Sequence, residues 1–344
     1  MQENKIKKSI GEANILRGIL CIFVLIIHTT ANPSIELQPL SISSILFSIA
    51  NTATKLAVPG FIFISGLTLA YSYKERKINN IYLFYKKRFI NVVIPYVIWT
   101  LIYYLVYIIL YNYEISLKFF LERLINGSMT YHLYFIIIII QFYILFPIFL
   151  KVFKMQNNSI ILGLSIILNI IVFYKGSNPI FFTTYISYFM LGMYFAFNYD
   201  NIMDLFSNIK NKIIIIAIGV LITIYYIIEV YLSIHFNVIL NKTGTTYYIF
   251  CLLTILMYYT LCINIYNSKN IIIAKFKDSI NKISKVSFSI YFAHPLIIII
   301  IERILRGLSI SLKYGIMTAF LIAISFAYAN LSYKNKPKIK IQKC

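Results

Sequence analysis

An arginine and a histidine lie near opposite ends of one apolar segment, ILRGILCIFVLIIHTT, at residues 15–30. On an α-helix, Arg17 and His28 share one face and are separated by about 16 Å along the axis. Cys21 and Val24 fall on the same stripe and are small. The spacing therefore indicates a narrow track with polar ends, running from one membrane surface at Arg17 to His28 inside the bilayer.

The residues of this track that could take part in chemistry are the two at its ends, Arg17 and His28. Histidine exchanges protons near neutral pH, and ionisable groups inside a membrane commonly mark a functional site. Each residue also has a purely structural interpretation. The Arg17 side chain could snorkel to the membrane surface, and His28 could hydrogen-bond a neighbouring helix.

Three further ionisable residues lie in or beside apolar segments. His132 begins one segment, where it is either functional or an ordinary interfacial histidine. Glu229 could orient a histidine base or pair with Lys55, which also lies within an apolar segment. His294 precedes Pro295, so it is either functional or donates a hydrogen bond that repairs the proline kink.

The composition predicts an all-α, polytopic membrane helix bundle. Hydrophobic residues make up 60% of the 344 residues and charged residues only 12%. Runs long enough to cross a hydrocarbon core of about 30 Å recur about ten times. They lie at 13–31, 44–71, 90–111, 131–153, 159–174, 180–198, 213–235, 246–266, 286–302 and 308–331. We expect a single transmembrane domain over 1–344, with a bundle at 13–331 and a basic cytoplasmic tail at 332–344.

Most of the 32 lysine and arginine residues fall on one side of these predicted spans. The positive-inside rule then places both termini in the cytoplasm and predicts a multi-pass protein of the plasma membrane. This distribution excludes a nucleic-acid partner as the reason for the net charge of +21. The basic loops are suited to anionic lipid headgroups or to a phosphate-bearing cytosolic substrate.

Motifs for other chemistry are absent from the sequence. The four cysteines have no metal-type spacing, so we expect neither a bound metal nor a disulfide framework. We find no phosphate-binding loop, GxSxG elbow or HExxH helix. The candidate chemistry is therefore limited to histidine, arginine and their placement in the membrane.

An ordered set of motifs resembles the acyltransferase 3 family of integral-membrane O-acyltransferases. The set contains RGILCIFVLIIH, VPGFIFISG, FYKKRFINVVIPY, YHLYFIIIIIQFYILFP, YFMLGMYFAFN and ISKVSFSIYFAHPL, between residues 17 and 296. The pattern is most similar to stand-alone members that act on surface polysaccharides. One departure is TATKLAVPG, which replaces a glycine-rich signature of some relatives and bears on the donor site.

The resemblance implies transfer of an acyl group from acetyl-CoA or succinyl-CoA to a hydroxyl of a cell-surface or lipid-linked glycan. The arginine and histidine of the family fall on Arg17 and His28, and its basic residue before the third span on Arg88. Lys86 and Lys87 could join the two arginines in holding the donor phosphates. His28 could then act as general base or carry the acyl group transiently.

Two other interpretations remain open. Several family members carry a fused extracytoplasmic domain that this chain lacks, so it either modifies its acceptor directly or needs a separate partner, such as polysaccharide synthase machinery. The kinked, polar-lined spans also fit an exopolysaccharide exporter or flippase. No inverted repeat of the kind found in many transporters is evident.

Overall fold

The chain is predominantly helical in the part that a computed structural model describes, residues 10–76, 78–241 and 244–334, and these residues form no β-strand. The all-α prediction is confirmed. Of the predicted tail, residues 335–344 lie outside the described residues. The α-helices in the described part are α1 Gly11–Thr30, α2 Pro33–Glu36, α3 Ile42–Thr54, α4 Ala57–Tyr73, α5 Ile81–Arg88, α6 Ile94–Tyr111, α7 Leu117–Asn126, α8 Tyr134–Met155, α9 Asn158–Lys175, α10 Ile186–Phe197, α11 Tyr199–Ser207, α12 Ile209–Phe236, α13 Thr245–Asn267, α14 Ile271–Ile304 and α15 Ile310–Lys334.

Nine helical segments in the described ranges are long and apolar enough to cross a membrane. The chain is therefore a multi-pass membrane protein, as predicted, while the cytoplasmic placement of its termini stays a prediction. The segments are Gly11–Thr30, Ile42–Tyr73, Ile81–Tyr111, Tyr134–Met155, Asn158–Lys175, Ile209–Phe236, Thr245–Asn267, Ile271–Ile304 and Ile310–Tyr333.

The span predicted at 180–198 is shorter than expected. It consists of a 3₁₀ turn, Phe182–Tyr185, followed by the 12-residue helix α10. The Asn169 side chain explains the late start of this helix. Its amide nitrogen donates to the Thr183 carbonyl at 2.6 Å, and its amide oxygen accepts from the Ser187 N–H at 2.8 Å. These bonds satisfy backbone groups that a longer helix would have paired internally.

The relative direction of α1 and α14 bears on the number of crossings. Gly18 lies against Ile280, Cys21 against Ser287, and His28 against His294, so the two helices run parallel. Six of the nine apolar segments lie between them in the sequence. If each crosses a bilayer once, parallel packing requires an odd number of intervening crossings. We infer that the short helix α10 supplies the seventh; the count of ten crossings stays a prediction, because nine segments in the described ranges meet the length and composition of a span.

The chain divides into two compact units that are interleaved in sequence. The first unit contains residues 58–211 and 241–252 in the described part, and the second contains residues 10–57, 212–240 and 253–334. The boundaries fall within α12 and α13 as well as near the start of α4. The prediction of a single domain over 1–344 stays a prediction.

Within the first unit, α4 and α10 approach each other at two glycines. A Cβ added at Gly66 would lie 2.2 Å from the Phe189 carbonyl oxygen, and one at Gly192 would lie 2.1 Å from the Phe63 carbonyl oxygen. The two helix backbones are thus in direct contact. Small residues at membrane helix crossings allow this close packing, which supplies van der Waals contact where lipid offers no hydrophobic driving force.

We expect Gly66→Ala to lower the free energy of unfolding by about 2 kcal/mol, because the new methyl group must push two backbones apart. Gly163→Ala on α9 is the matched control, since a Cβ there meets nothing within 4 Å. Thermal unfolding in detergent can be followed with a thiol-reactive dye, because Cys21, Cys251 and Cys262 are buried. Equal melting temperatures for the two variants would contradict the direct contact between the backbones of α4 and α10.

Candidate active site

Helix α1 holds Arg17 and His28 on one continuous element, Gly11–Thr30. Both side chains are half-buried. Cys21 and Val24, which the sequence placed along an open track, are buried, and the Cys21 thiol lies 4.0 Å from the Ser287 carbonyl oxygen. This part of the predicted track is occupied by packing against α14. The two ends of the track remain where the sequence placed them on the helix.

His28 and His294 form a stacked pair. Their ring centroids are 5.1 Å apart, and the ring planes differ by 24°. His294 is only 1% exposed, whereas His28 is half-buried. His28 is therefore the ring of the pair that a substrate reaches more readily. Two of the predicted site residues, 266 positions apart, are thus brought into contact by the parallel packing of α1 and α14.

The proline after His294 fixes the orientation of that histidine. Pro295 has no backbone N–H, so it cannot make the helical hydrogen bond to the carbonyl of Tyr291. The Nδ1 of His294 lies 2.7 Å from this carbonyl oxygen and 3.2 Å from that of Ile290. A carbonyl oxygen only accepts hydrogen bonds, so Nδ1 carries the proton and donates. In the neutral ring the lone pair is then on Nε2.

The kink-repairing hydrogen bond that the sequence suggested for His294 is therefore present, and it also has a chemical consequence. A histidine held by a second partner at one nitrogen presents the other nitrogen in a defined tautomer. The structural and functional interpretations of His294 are compatible. A purely structural repair would not require a second imidazole in contact with the ring.

Hydroxyl and amide groups surround the His28 end of α1. The Thr29 and Thr318 hydroxyl oxygens are 2.8 Å apart, and the Asn51 amide donates to the Ile27 carbonyl at 2.9 Å and to the Thr30 hydroxyl at 3.2 Å. Sequence reasoning missed this set. The only available signal was the Thr-Thr pair directly after His28, because Asn51 and Thr318 come from distant helices.

A hydrogen-bonded chain of three residues lies beyond this end of α1. The Asn32 amide donates to the Tyr314 hydroxyl at 2.9 Å, and that hydroxyl donates to the Glu302 carboxylate at 2.8 Å. Asn32 follows His28 by one helical turn, and Glu302 follows His294 by about two. Polar side chains of the second unit therefore extend beyond the histidine end of α1.

Near the other end of α1, the Arg17 guanidinium donates to the Asn14 side-chain oxygen at 3.3 Å. One turn before it, Glu12 is 1% exposed, and its carboxylate accepts from the Tyr259 hydroxyl at 3.0 Å. The sequence analysis overlooked Glu12. An acidic residue directly before an apolar run was a signal that could have identified it, since buried carboxylates require partners.

Three of the four basic residues predicted for donor binding, Lys86, Lys87 and Arg88, lie in the first unit, whereas Arg17 lies in the second. Lys86 and Lys87 are exposed on α5. The half-buried Arg88 ends that helix, and its guanidinium carbon lies 3.6 Å from the Phe84 ring centroid. A π-helical turn at Phe89–Val93 follows, directly before Pro95 in α6. The aromatic contact holds the flat guanidinium in place by cation–π attraction.

His132 also belongs to the first unit and is 2% exposed. Its Nδ1 lies 3.1 Å from the Thr130 hydroxyl oxygen, and its ring meets that of Tyr103 edge-on at 5.6 Å. Glu229 is 7% exposed on α12 in the second unit. Catalytic roles for His132 and Glu229 stay predictions, whereas His28 and His294 are in contact.

Comparison with known proteins supports the sequence resemblance. A family model described as an acyltransferase domain, acyltransferase 3, matches residues 10–330. A protein of Staphylococcus aureus strain Mu50, named a probable poly-β-1,6-N-acetyl-D-glucosamine export protein, is 27% identical over 82% of this chain and 81% of its own length. A Staphylococcus epidermidis protein of the same name is 27% identical over 85% of this chain and 82% of its own. No solved structure matches the chain.

We expect Tyr259→Phe to lower the free energy of unfolding by about 1–3 kcal/mol, because the buried Glu12 carboxylate loses a hydrogen-bond donor. Tyr258→Phe is the matched control on the same helix, since Tyr258 contacts Phe23 through its ring. Thermal unfolding of both variants in the same detergent measures the difference. If Tyr258→Phe is as destabilising as Tyr259→Phe, the Glu12 bond contributes nothing specific.

Proposed function

The chain belongs to the acyltransferase 3 family, and we propose that it is a plasma-membrane O-acyltransferase. It moves an acetyl or succinyl group from cytosolic acyl-CoA to a hydroxyl of a cell-surface or lipid-linked glycan. The observation that carries this proposal is the stacked pair of His28 and His294, with the His294 tautomer held by the Tyr291 carbonyl. Such a pair provides a proton acceptor for an alcohol inside an otherwise apolar bundle.

His28 acts on the substrates, because it is the more exposed ring of the pair. It removes the proton of the acceptor hydroxyl as that oxygen attacks the thioester carbonyl carbon. The C–S bond breaks, and the CoA thiolate takes up the proton from the imidazolium. In the second route, the His28 nitrogen attacks the thioester carbonyl carbon, the C–S bond breaks, and the CoA thiolate takes the N–H proton of the acylated ring. The acceptor hydroxyl then attacks the acyl-imidazole, the N–acyl bond breaks, and the hydroxyl proton returns to the imidazole.

His294 is a positioning residue in both routes. Its buried ring stacks on His28 and restricts the orientation of that imidazole. Because two adjacent imidazolium charges repel, the pair accepts one proton more readily than two. The surrounding hydroxyl and amide groups, Thr29, Thr318 and Asn51, hydrogen-bond one another and the nearby backbone, so they hold the His28 end of α1 in place.

The basic residues are assigned to the donor. Arg17 in the second unit and, separately, Lys86, Lys87 and Arg88 in the first unit are each candidates to bind phosphates of acyl-CoA at the cytoplasmic surface, because guanidinium groups match phosphate oxygens. The exposed lysines would also contact anionic lipid headgroups. This assignment is supported by residue chemistry and by the family resemblance of the arginines.

The names of the staphylococcal relatives suggest the acceptor class and a second candidate function. They refer to poly-β-1,6-N-acetyl-D-glucosamine, so we propose a glycan of this kind as the acceptor. They also refer to export, which favours an exporter or flippase as the alternative. Loss of an exporter would make glycan accumulate inside the cell, with no change in acyl content per exported sugar.

We expect His28→Ala to lower transfer of label from acetyl-CoA to envelope glycan by at least about 100-fold, the scale of general-base catalysis. The assay compares membranes that contain equal amounts of each protein and is repeated with succinyl-CoA. His235→Ala is the control, because His235 contacts Ser44 and Tyr231, outside the stacked pair. Equal labelling by the wild type and His28→Ala would remove His28 from the mechanism.

We expect Pro295→Ala to lower transfer by about ten-fold, the usual scale for loss of a group that orients a functional histidine. The new N–H at residue 295 competes for the Tyr291 carbonyl, so Nδ1 of His294 is no longer held. The same change removes a proline from a helix interior and should leave the protein as stable or more stable.

Pro147→Ala is the control for this variant, since Pro147 also lies inside a helix, α8. Nitrogen NMR of labelled histidine reports the tautomer directly. Unchanged transfer together with an unchanged histidine tautomer would show that Pro295 has no positioning role.

A further inference from the structure

Four aromatic side chains follow one face of α6 at every fourth residue. Trp99, Tyr103, Tyr107 and Tyr111 are successive neighbours, and their ring centroids are 6.0, 6.4 and 5.6 Å apart in that order. We call these four residues the aromatic ladder. The ladder rises about 18 Å along the helix, long enough to contact several consecutive sugar rings.

The ladder is continued by the loop that follows α6. Asn112 adopts a left-handed conformation with φ 54°, which turns the chain back on itself. The Tyr113 ring consequently lies 5.4 Å from that of Tyr107. The Tyr104 hydroxyl, on another face of α6, fixes this loop. It accepts from the Ser116 N–H at 2.8 Å and lies 2.9 Å from the Glu114 carbonyl oxygen.

Exposure rises along the ladder from Tyr103 to Tyr111, while Trp99 at the other end is half-buried. Tyr103 is fully buried, Tyr107 is half-buried, and Tyr111 is 52% exposed. Tyr113 beside them is 42% exposed. The ladder therefore has an open end at Tyr111, and its most buried ring is Tyr103. A ligand that contacts Tyr111 and Tyr113 meets the half-buried Tyr107 ring next.

The most buried ring of the ladder, Tyr103, has polar neighbours. His132 meets Tyr103 edge-on at 5.6 Å, and its Nδ1 lies 3.1 Å from the Thr130 hydroxyl oxygen. A buried histidine and a hydroxyl group thus lie directly beside the ladder, which a purely apolar packing surface would not need.

An interfacial aromatic belt does not account for this arrangement. Belt residues lie at one depth, the level of the lipid headgroups. The ladder instead extends along about half the thickness of a hydrocarbon core, and its rings contact one another. The side chains at three of its four positions also carry hydroxyl groups, which are unfavourable toward lipid tails and useful toward a polar ligand.

We propose that the aromatic ladder binds a single extended glycan chain of N-acetylhexosamine rings. A pyranose ring has C–H faces that stack on aromatic rings and hydroxyl groups that hydrogen-bond tyrosine hydroxyls. A glycan that stacks on successive aromatic rings can shift along them without losing contact, as nucleic-acid bases do on aromatic side chains. The role of the glycan as acyl acceptor rests on the proposed function, whereas the binding of the glycan to the aromatic ladder does not.

The single tryptophan of the chain makes this proposal directly measurable. Trp99 is the only tryptophan, so tryptophan fluorescence of the full-length protein in lipid nanodiscs reports on the ladder alone. β-1,6-linked N-acetylglucosamine oligosaccharides, from the monosaccharide to the hexasaccharide, are the probes. We expect the fluorescence to change on binding and the affinity to rise at least about ten-fold with chain length, as more rings are covered.

Tyr111→Leu is the informative variant, because the exposed position tolerates the change without unfolding. We expect it to lower hexasaccharide affinity by about ten-fold, and Tyr111→Phe, which keeps the ring, to lower it by about two-fold or less. Tyr174→Leu is the matched control, since Tyr174 is 72% exposed on α9 outside the ladder.

The outcomes separate this proposal from the proposed function. Equal affinity for the monosaccharide and hexasaccharide, no fluorescence change, or equal losses in Tyr111→Leu and Tyr174→Leu would each overturn the ladder as a glycan site. Length-dependent binding that survives in His28→Ala supports the ladder. If the wild-type protein shows such binding but transfers no acyl group, the aromatic ladder is retained as a glycan site and the acyltransferase proposal fails.

Discussion

The candidate site depends on the parallel contact between α1 and α14. Gly18 has no side chain where α1 meets the backbone of Ile280, and a Cβ at this position would lie 2.5 Å from that carbonyl oxygen. This close approach sets the distance between the helices along their length. His28 and His294 consequently face each other at stacking distance, although nothing else in the sequence connects them. With a larger distance between α1 and α14, the rings of His28 and His294 would not contact each other.

Pro295 illustrates how a helix defect can be used. In most helices an interior proline leaves one carbonyl without its N–H partner. Here the histidine directly before the proline supplies that partner, so the defect is satisfied and the imidazole is held in one tautomer. The arrangement is local, because three neighbouring residues of one helix, Tyr291, His294 and Pro295, are sufficient to produce it. The α1–α14 packing then adds the second ring.

Much of the fold could be predicted from the sequence, because membrane helices are encoded by long local runs of apolar residues. The helix that carries Arg17 and His28, and the kink repair at His294, were predictable for the same reason. The shortened α10 was not, since it depends on the side chain of Asn169 from another helix. The contact of His28 with His294, the group around Thr318, and the aromatic neighbours of His132 depend on tertiary packing, which periodicity does not encode.

Helix α14 is 34 residues long and unbroken, so it measures about 51 Å, considerably more than the hydrocarbon core of a bilayer. Its first half carries lysines, two of which, Lys282 and Lys285, lie over the Tyr333 ring. A helix of this length reaches from the headgroup region into the bilayer, so its lysines and His294 belong to one continuous element. We expect a change of bilayer thickness that tilts α14 to act at both of these places.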